Sequence, residues 1–336
     1  MVSMKDIAKA CNVSVATVSK ALNDHSDVSV ETKQFIRNKA KELGYFPNSS
    51  ARALKTNRTY NIGVLFVDEA ASGLTHDYFA HVLDSFKVYA ESKSYDITFI
   101  NCQEKNGLTY LEHCRYRGFD GIVIACVDFY DPEVIELINS DIPVVTVDHA
   151  FDHRIAVVSN NVEGITSLVN YVYDMGHRKI AYIIGDDTSV TQNRIASFHR
   201  ALSAHKIAVP DEYIKRSNYR NPENAEKLTY ELLELKARPT CIFYPDDYSA
   251  IGGINALHSK NLDIPGDISV VGYDGIFVSQ VLSPKLTTYA QNTTEIGHLA
   301  AGKLIELIEN PRITVIERIL VSGNVLPGES VGKLIS

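Results

Sequence analysis

The chain lacks most of what would mark a membrane, secreted or catalytic protein. No long apolar run is present, and the start is not a basic stretch leading into an apolar one, so neither a membrane span nor a secretory leader is expected. No lipidation signal appears. The five cysteines, Cys11, Cys102, Cys114, Cys126 and Cys241, are odd in number and have neither CxxC nor Cys/His metal spacing. Several lie in apolar runs, Cys126 in GIVIACV and Cys241 in TCIFY, and read as small buried hydrophobes in a reducing cytoplasm.

Also missing are GxGxxG after the first strand, GxxxxGK[ST], GxSxG and HExxH. The 11 histidines are scattered, and His177 in the MGHRK turn reads as a packing or hydrogen-bonding residue. No nucleophile with an oriented base can be assembled, so no catalytic residue, metal or cofactor is expected.

What is present is an uneven charge. Residues 1–59 hold ten Lys and Arg against five acids, a net of +5, so with the whole chain at -8 the remaining residues carry -13. A polyanion such as nucleic acid would be drawn to the first segment and repelled elsewhere. At 336 residues, 45% apolar and 22% charged, the chain can form a small module and a larger one with its own core.

In the basic segment Ser3 can cap a helix with Asp6 at its third position, and Ile7, Ala8 and Cys11 form its apolar face. That helix is expected to end near Asn12. Ser14 can cap a second helix, VATVSKALN, turning Val15, Val18 and Leu22 inward and Ala16, Thr17 and Lys20 outward. A third begins after Ser29 and runs to about Leu43, with Phe35, Ile36, Ala40 and Leu43 closing the core and Gly44 ending it. So short a gap between the first two helices is the mark of a helix-turn-helix, whose second helix enters the major groove. The alternative is a basic three-helix domain for protein contact. Beyond Pro47, the segment SSARALK is too short to be a stable free helix and would order against DNA and its two-fold mate, with Leu54 wedging a base step in the minor groove. The bland alternative is an ordinary linker.

From Tyr60 apolar runs alternate with amphipathic stretches. Strands are expected at 61–67, 96–100, 121–125, 143–147, 179–184, 212–216, 240–243, 268–271 and 315–321. Helices are expected at 78–93, 107–116, 131–139, 161–175, 191–205, 222–236, 246–259 and 292–309. This pattern implies parallel sheets covered on both faces, in two doubly wound lobes with a ligand cleft at the strand C-terminal ends. Candidate cleft residues are Asp68, Asp148, Asp186, Asp247, Asp274 and Arg194, with Tyr78, Phe79 or Tyr273 covering a ring face. Carboxylates and an arginine can grip vicinal hydroxyls. Taken singly, each Asp reads better as a helix N-cap or solvated loop residue; it is their joint placement at strand ends that favours the cleft.

The whole chain resembles the lactose repressor and galactose repressor family of bacterial transcription regulators. The likeness lies in IAKACNVSVATVSKALN and VSVETKQFIRNKAKELGYFPNSSARALKT, in NIGVLF, GFDGIVI, IPVVTVDH and GHRKIAYI, and in RPTCIFYPDDYSAIGGINAL and ISVVGYDGIFVSQVLSPKLTTYAQNTTEIG. It implies an all-α helix-turn-helix head joined by a hinge helix to an α/β periplasmic-binding-protein-like core of two doubly wound parallel-sheet lobes. The corresponding boundaries are 1–47 for the head, 48–59 for hinge and linker, 60–159 plus 292–320 for one lobe, and 160–291 plus 321–336 for the other.

The resemblance further implies a cytoplasmic, nucleoid-associated homodimer that reads pseudo-palindromic double-stranded operator DNA. Its base-reading positions are Val15 and Ala16, with Thr17 beside them and Lys20 as guanine donor. Ser14, Ser19, Asn23 and Ser29 join the DNA surface, as do Asn48, Ala51, Leu54 and Lys55 of the hinge. Arg194, in the family's R-x-x-x-F context, Asp247 and Asp274 in GYDG match effector-gripping positions, with Tyr78 and Phe79 beside the ligand. Asp246 stands where the family usually has Asn. A sugar or sugar derivative is the implied effector, releasing or strengthening DNA binding, of a repressor of carbohydrate-use genes. The alternatives are a purine-type corepressor-dependent repressor and a global regulator controlled through a phosphocarrier-type protein. The chain ends without the leucine heptads of tetrameric members, so it resembles the dimeric ones.

Overall fold

The computed structural model describes residues 2–46, 58–68, 73–100, 107–334. The hinge positions Asn48, Ala51, Leu54 and Lys55, and also Cys102, lie outside the described residues. Two compact units divide the chain, Met1–Thr59 and Tyr60–Ser336.

The head has three helices, α1 (Met4–Cys11), α2 (Val15–Leu22) and α3 (Val30–Glu42). Each start is fixed by a serine. Ser3 and Asp6 form a reciprocal capping box, Ser14 accepts from the Thr17 N–H, and Ser29 accepts from the Thr32 N–H. Gly44, with φ of +71°, follows the last helix in a left-handed conformation open to glycine. The core is small: Ile7, Ala8, Cys11, Val18, Ala21, Ile36 and Ala40. Two expected core residues are not in it. Val15 and Phe35 are exposed, while Leu22 and Leu43 are half-buried. Val18 and Ala21, not Val15, are the buried residues of α2.

The larger unit contains two parallel sheets. The first has strand order β11-β5-β4-β3-β1-β2, from β1 (Asn61–Phe66), β2 (Asp96–Phe99), β3 (Gly121–Ala125), β4 (Val144–Val147), β5 (Ile155–Ser159) and β11 (Arg318–Val321). Ile62, Val64, Val123 and Ala125 face one core, and Leu65, Ile122 and Ile124 face another. The period of two thus places apolar residues on both faces of the sheet. Helices α4 (Asp77–Ser92), α5 (Tyr110–Arg117) and α6 (Pro132–Ile138) cover it.

The second sheet has order β7-β6-β8-β9, from β6 (Ile180–Ile184), β7 (Ile214–Arg216), β8 (Cys241–Phe243) and β9 (Ser269–Val271). Its helices are α7 (Asn161–Asp174), α8 (Ser189–Ala204), α9 (Pro222–Leu233) and α10 (Asp247–Ser259). A short helix, α11 (Phe277–Val281), precedes β10 (Thr288–Ala290), which pairs antiparallel with β12 (Asn324–Leu326). The last helix, α12 (Thr293–Glu309), returns to the first sheet and lies along α4. A Cβ at Gly297 would fall 2.3 Å from the Val82 carbonyl, so only glycine permits this approach.

Strand β5 was not anticipated, nor were β12 and α11. The reason is connectivity: β4 and β5 are parallel neighbours joined by residues 148–154 alone, without the covering helix that the alternating pattern leads one to seek. Strands β7 and β11 begin later than expected, and residues 211–213 form a 3₁₀ turn. His177 is buried between Thr240 (Nδ1 to Oγ1, 2.9 Å) and the Gly332 carbonyl (Nε2, 3.1 Å), a structural tie.

Candidate functional site

In both sheets the order reverses beside the first strand of the lobe, between β1 and β3 and between β6 and β8. Ligands of open α/β sheets bind outside strand C-termini at such points. The cleft of about 450 Å³ lies there, lined from the first lobe by Asp68, His76, Tyr78, Phe79, Cys126, Phe129, Asp148 and His149, and from the second by Asp186, Ser189, Arg194, Tyr219, Arg220 and Asp274.

Arg194, on the second turn of α8, is buried. Its Nε donates to Asn161 Oδ1 at 2.7 Å, Nη1 donates to the Pro245 carbonyl at 2.9 Å, and Nη2 lies 4.0 Å from Asp274 Oδ1. The guanidinium also stands 3.6 Å from the centre of the Tyr273 ring. These partners hold the cation rigid, so a ligand meets a donor that is already oriented. Asp274 accepts from Gln291 Nε2 at 2.7 Å and has φ of +107°. Burial pushes its carboxyl up to about 7, against the pull of Arg194. Across the cleft, Asp148 accepts from the Tyr78 hydroxyl at 2.7 Å and the Ser159 N–H at 3.0 Å. Burial raises the Asp148 carboxyl too.

Aromatic rings complete the walls. Phe129 and His149 stack with centroids 4.4 Å apart and planes 10° from parallel. Phe79 packs edge-on against Phe66, His76 and Tyr78. Tyr219 shares a hydroxyl contact with Thr191 at 2.8 Å.

Polar contacts span the cleft between the lobes, and in one of them Arg220 Nη2 donates to the Thr75 carbonyl at 3.5 Å. Arg220 Nη1 meets Asp77 Oδ2 at 3.1 Å, and Ser189 Oγ lies 3.3 Å from His149 Nδ1. Arg220 also lies over the Tyr248 ring at 4.6 Å.

Of the sequence candidates, Asp68, Tyr78, Phe79, Asp148, Asp186, Arg194 and Asp274 converge on this cleft. Asp247 and Tyr273 do not line it. Asp247 is wholly buried beneath the loop carrying Asp274 and accepts from the Ile276 N–H at 2.9 Å. Burial and the neighbouring Asp274 raise its carboxyl well above the usual range. Tyr273 lies buried under Arg194 and is a support for the cation instead of a ligand cover. Asp246 caps α10, accepting from the Ser249 N–H at 2.6 Å and the Arg220 N–H at 2.8 Å. Cys126, expected to be buried, is half-exposed at the mouth of β3. His76, Phe129, His149, Tyr219, Arg220 and Gln291 were missed.

In the head, Ser14, Val15, Ala16, Lys20, Asn23 and Ser29 are exposed, and Thr17 and Ser19 are half-buried. Lys20 pairs with Asp27, Asn23 Nδ2 donates to the Ser19 carbonyl at 2.7 Å, and the Ser14 and Ser29 hydroxyls serve as caps.

A three-helix basic head with helix-turn-helix spacing, together with a two-lobed ligand-binding core, defines a DNA-binding transcription regulator. The model for bacterial regulatory proteins of the lacI family matches residues 3–48, and that for a periplasmic binding protein-like domain matches residues 169–331. A probable HTH-type transcriptional repressor, ExuR, of Bacillus subtilis (strain 168) is 33% identical over 337 residues, 99% of each chain. The ribose operon repressor of Haemophilus influenzae is 33% identical over 316 residues, 93% of each chain. The chain belongs to the lacI family of bacterial regulatory proteins. Among solved structures, the lac repressor dimer bound to operator and the anti-inducer ONPF has the same fold, with a TM-score of 0.82 at 23% identity over 98% of this chain and 99% of that one. The family consists of transcription regulators, not enzymes. No helix among the described residues is long and apolar enough to cross a membrane.

Proposed function

We propose that the chain is a homodimeric repressor of carbohydrate-use genes, whose grip on a pseudo-palindromic operator is set by a small, hydroxyl-rich effector in the cleft. The observation that carries this reading is Arg194, buried and oriented 4.0 Å from Asp274, facing Asp148 across an aromatic-walled space. Donor and acceptors so placed match paired hydroxyls, and the rings match the apolar face of a sugar. The relative named ribose operon repressor supports the same class. Two-fold pairing of heads would supply the half-site spacing, with α2 in the major groove and Lys20 exchanging Asp27 for a base or phosphate. The segment 48–55 would complete the contact in the minor groove. A protein of this kind resides in the cytoplasm on the nucleoid.

Closure of the lobes on the effector would bias the dimer between two arrangements, and reciprocity requires operator DNA to change effector affinity by the same factor. Gel shift at graded salt, with and without a sugar and sugar-derivative panel, tests the reading. A preference for a palindromic site over random duplex, altered by one class of sugar, is expected; equal binding to both duplexes would refute it.

A planar corepressor of the purine type is the second reading, favoured by the flat Phe129–His149 wall. Calorimetry with nucleobases separates the two. A cleft silent to both panels would favour control by a phosphocarrier-type protein.

A further inference from the structure

Strands β1 and β3 are parallel neighbours, with Phe66 opposite Ala125 and the Val67 N–H donating to the Cys126 carbonyl at 3.2 Å. Their C-terminal ends therefore present Asp68 and Cys126 side by side. Helix α4 begins above them, and its N-cap residue is His76, whose side chain makes no capping hydrogen bond. The carboxylate, imidazole and thiol donor atoms all lie within 4.8 Å of one another.

We propose that Asp68, His76 and Cys126 bind a divalent cation of the zinc class, with its remaining coordination position open to the cleft. The proposal does not depend on the effector's identity, because it concerns the chain and the metal alone.

The donor set is the first argument. Thiolate sulfur, imidazole nitrogen and carboxylate oxygen are the three ligand types zinc takes, at about 2.0–2.3 Å, which puts neighbouring ligand atoms roughly 3.5–4 Å apart. The spread of up to 4.8 Å is wider than that range, so binding would draw the three side chains together. Three protein ligands leave one tetrahedral position, and all three residues line the cleft.

The second argument concerns His76. Its Nδ1 is buried and has no hydrogen-bond partner among the described residues, while the ring packs edge-on to Phe79 at 5.0 Å. An unpaired buried ring nitrogen is costly, and a coordinated metal or its bound water would satisfy it.

The third argument is the backbone. Cys126 has φ of +54°, an unusual conformation for a residue with a Cβ, and it is the described cysteine that is not buried. Strain of this kind persists where the surrounding structure imposes it, and it clusters at functional positions.

Charge also balances. One carboxylate and one thiolate neutralise a 2+ ion, the thiol's proton leaving to solvent as the metal–sulfur bond forms.

The test is a titration of the full-length, reduced protein with Zn²⁺ against a chromophoric chelator, repeated with Co²⁺ to read the thiolate-to-metal absorption. One site per chain is expected, with a thiolate band that vanishes in Cys126→Ser. Zinc affinity should fall at least tenfold in His76→Ala and in Asp68→Asn, with circular dichroism confirming that each variant is folded. No uptake by the parent, a thiolate band retained in Cys126→Ser, or unchanged affinity in both His76→Ala and Asp68→Asn would overturn the proposal and mark any bound metal as adventitious.

Discussion

In the head, the polar residues of interest are exposed or half-buried, and the capping serines are tied to the helix ends beside them, Ser14 to Thr17 and Ser29 to Thr32, three residues apart. In the cleft, Arg194 is buried and its partners, Asn161 and Pro245, lie 33 and 51 positions away in the chain. An exposed hydroxyl costs little to leave unpaired, because water replaces its partner; a buried guanidinium must be met by protein groups or its desolvation is uncompensated. The head can therefore change what it reads by exchanging side chains singly. The cleft can change only as a unit.

The largest effect that would break this contrast is expected from Arg194→Ala. It removes the cation from a buried network and leaves Asp274 and the Asn161 and Pro245 oxygens without it, so stability of the core should fall by roughly 3–5 kcal/mol. Effector affinity should be lost altogether. Urea denaturation together with calorimetry reads both, and a stability change no greater than that of an exposed head substitution would void the distinction.

Asp274 should give the next largest effect, through pH. Its folded-state carboxyl titrates near 7 because it is buried, well above its ordinary value of 3.8. Below about 3.8 the group is protonated in both states and costs nothing. Between about 3.8 and 7 only the unfolded chain ionises it, so stability falls across that window, by on the order of 4 kcal/mol at most, and levels off above 7 where both states are ionised. Asp247, raised in the same direction, adds to the trend. The core should thus be more stable at pH 5 than at pH 8, and Asp274→Asn should flatten that slope.

Ser14→Ala is expected to remove about 1 kcal/mol by stripping the cap of α2. In a head whose buried core is seven side chains, that is enough to weaken DNA binding, while the cleft's ligand affinity stays unchanged. Measured in parallel, gel shift and calorimetry should separate cleanly.

This difference also decides what could be read from the chain in advance. The head's helix ends were legible because capping is local: Ser3 with Asp6, Ser14, Ser29 and Gly44 each act within a few residues. Which apolar residues go inward was less so: Val15 and Ala21 lie to either side of the buried Val18 at equal helical angles, so spacing does not choose between them, yet Ala21 is buried and Val15 exposed. In the core, buried strands announce themselves, but β5 follows β4 without a helix and breaks the alternation that reveals the others. Four of the cleft residues, Asp68, Asp148, Asp186 and Asp274, follow from polar groups at strand ends, whereas Tyr78, Phe79 and Arg194 lie on helices α4 and α8. His76, Tyr219, Arg220 and Gln291 sit in turns or beside caps, where no periodicity points. One signal was present: Arg220 directly precedes Asn221 and Pro222, the cap and first residue of α9.

The smallest effect bears on the meeting of the lobes. Arg220 joins Asp77 at 3.1 Å, yet the Asp77 side chain is 42% exposed, and ion pairs so open to water contribute about 0–1 kcal/mol. Asp77→Asn should therefore leave the denaturation midpoint almost unmoved. Its influence belongs to the equilibrium between open and closed cleft, where a fraction of a kcal/mol shifts populations visibly because the two arrangements differ by little. Scattering of the ligand-free variant should show a larger mean radius, and effector affinity should fall about two- to fivefold, more so at low salt where the pair is least screened. If the radius is unchanged and salt has no differential effect, the pair accompanies closure without favouring it, and the lobes are held by other contacts, Ser189 with His149 and Arg220 with the Thr75 carbonyl among them, and by the ligand itself.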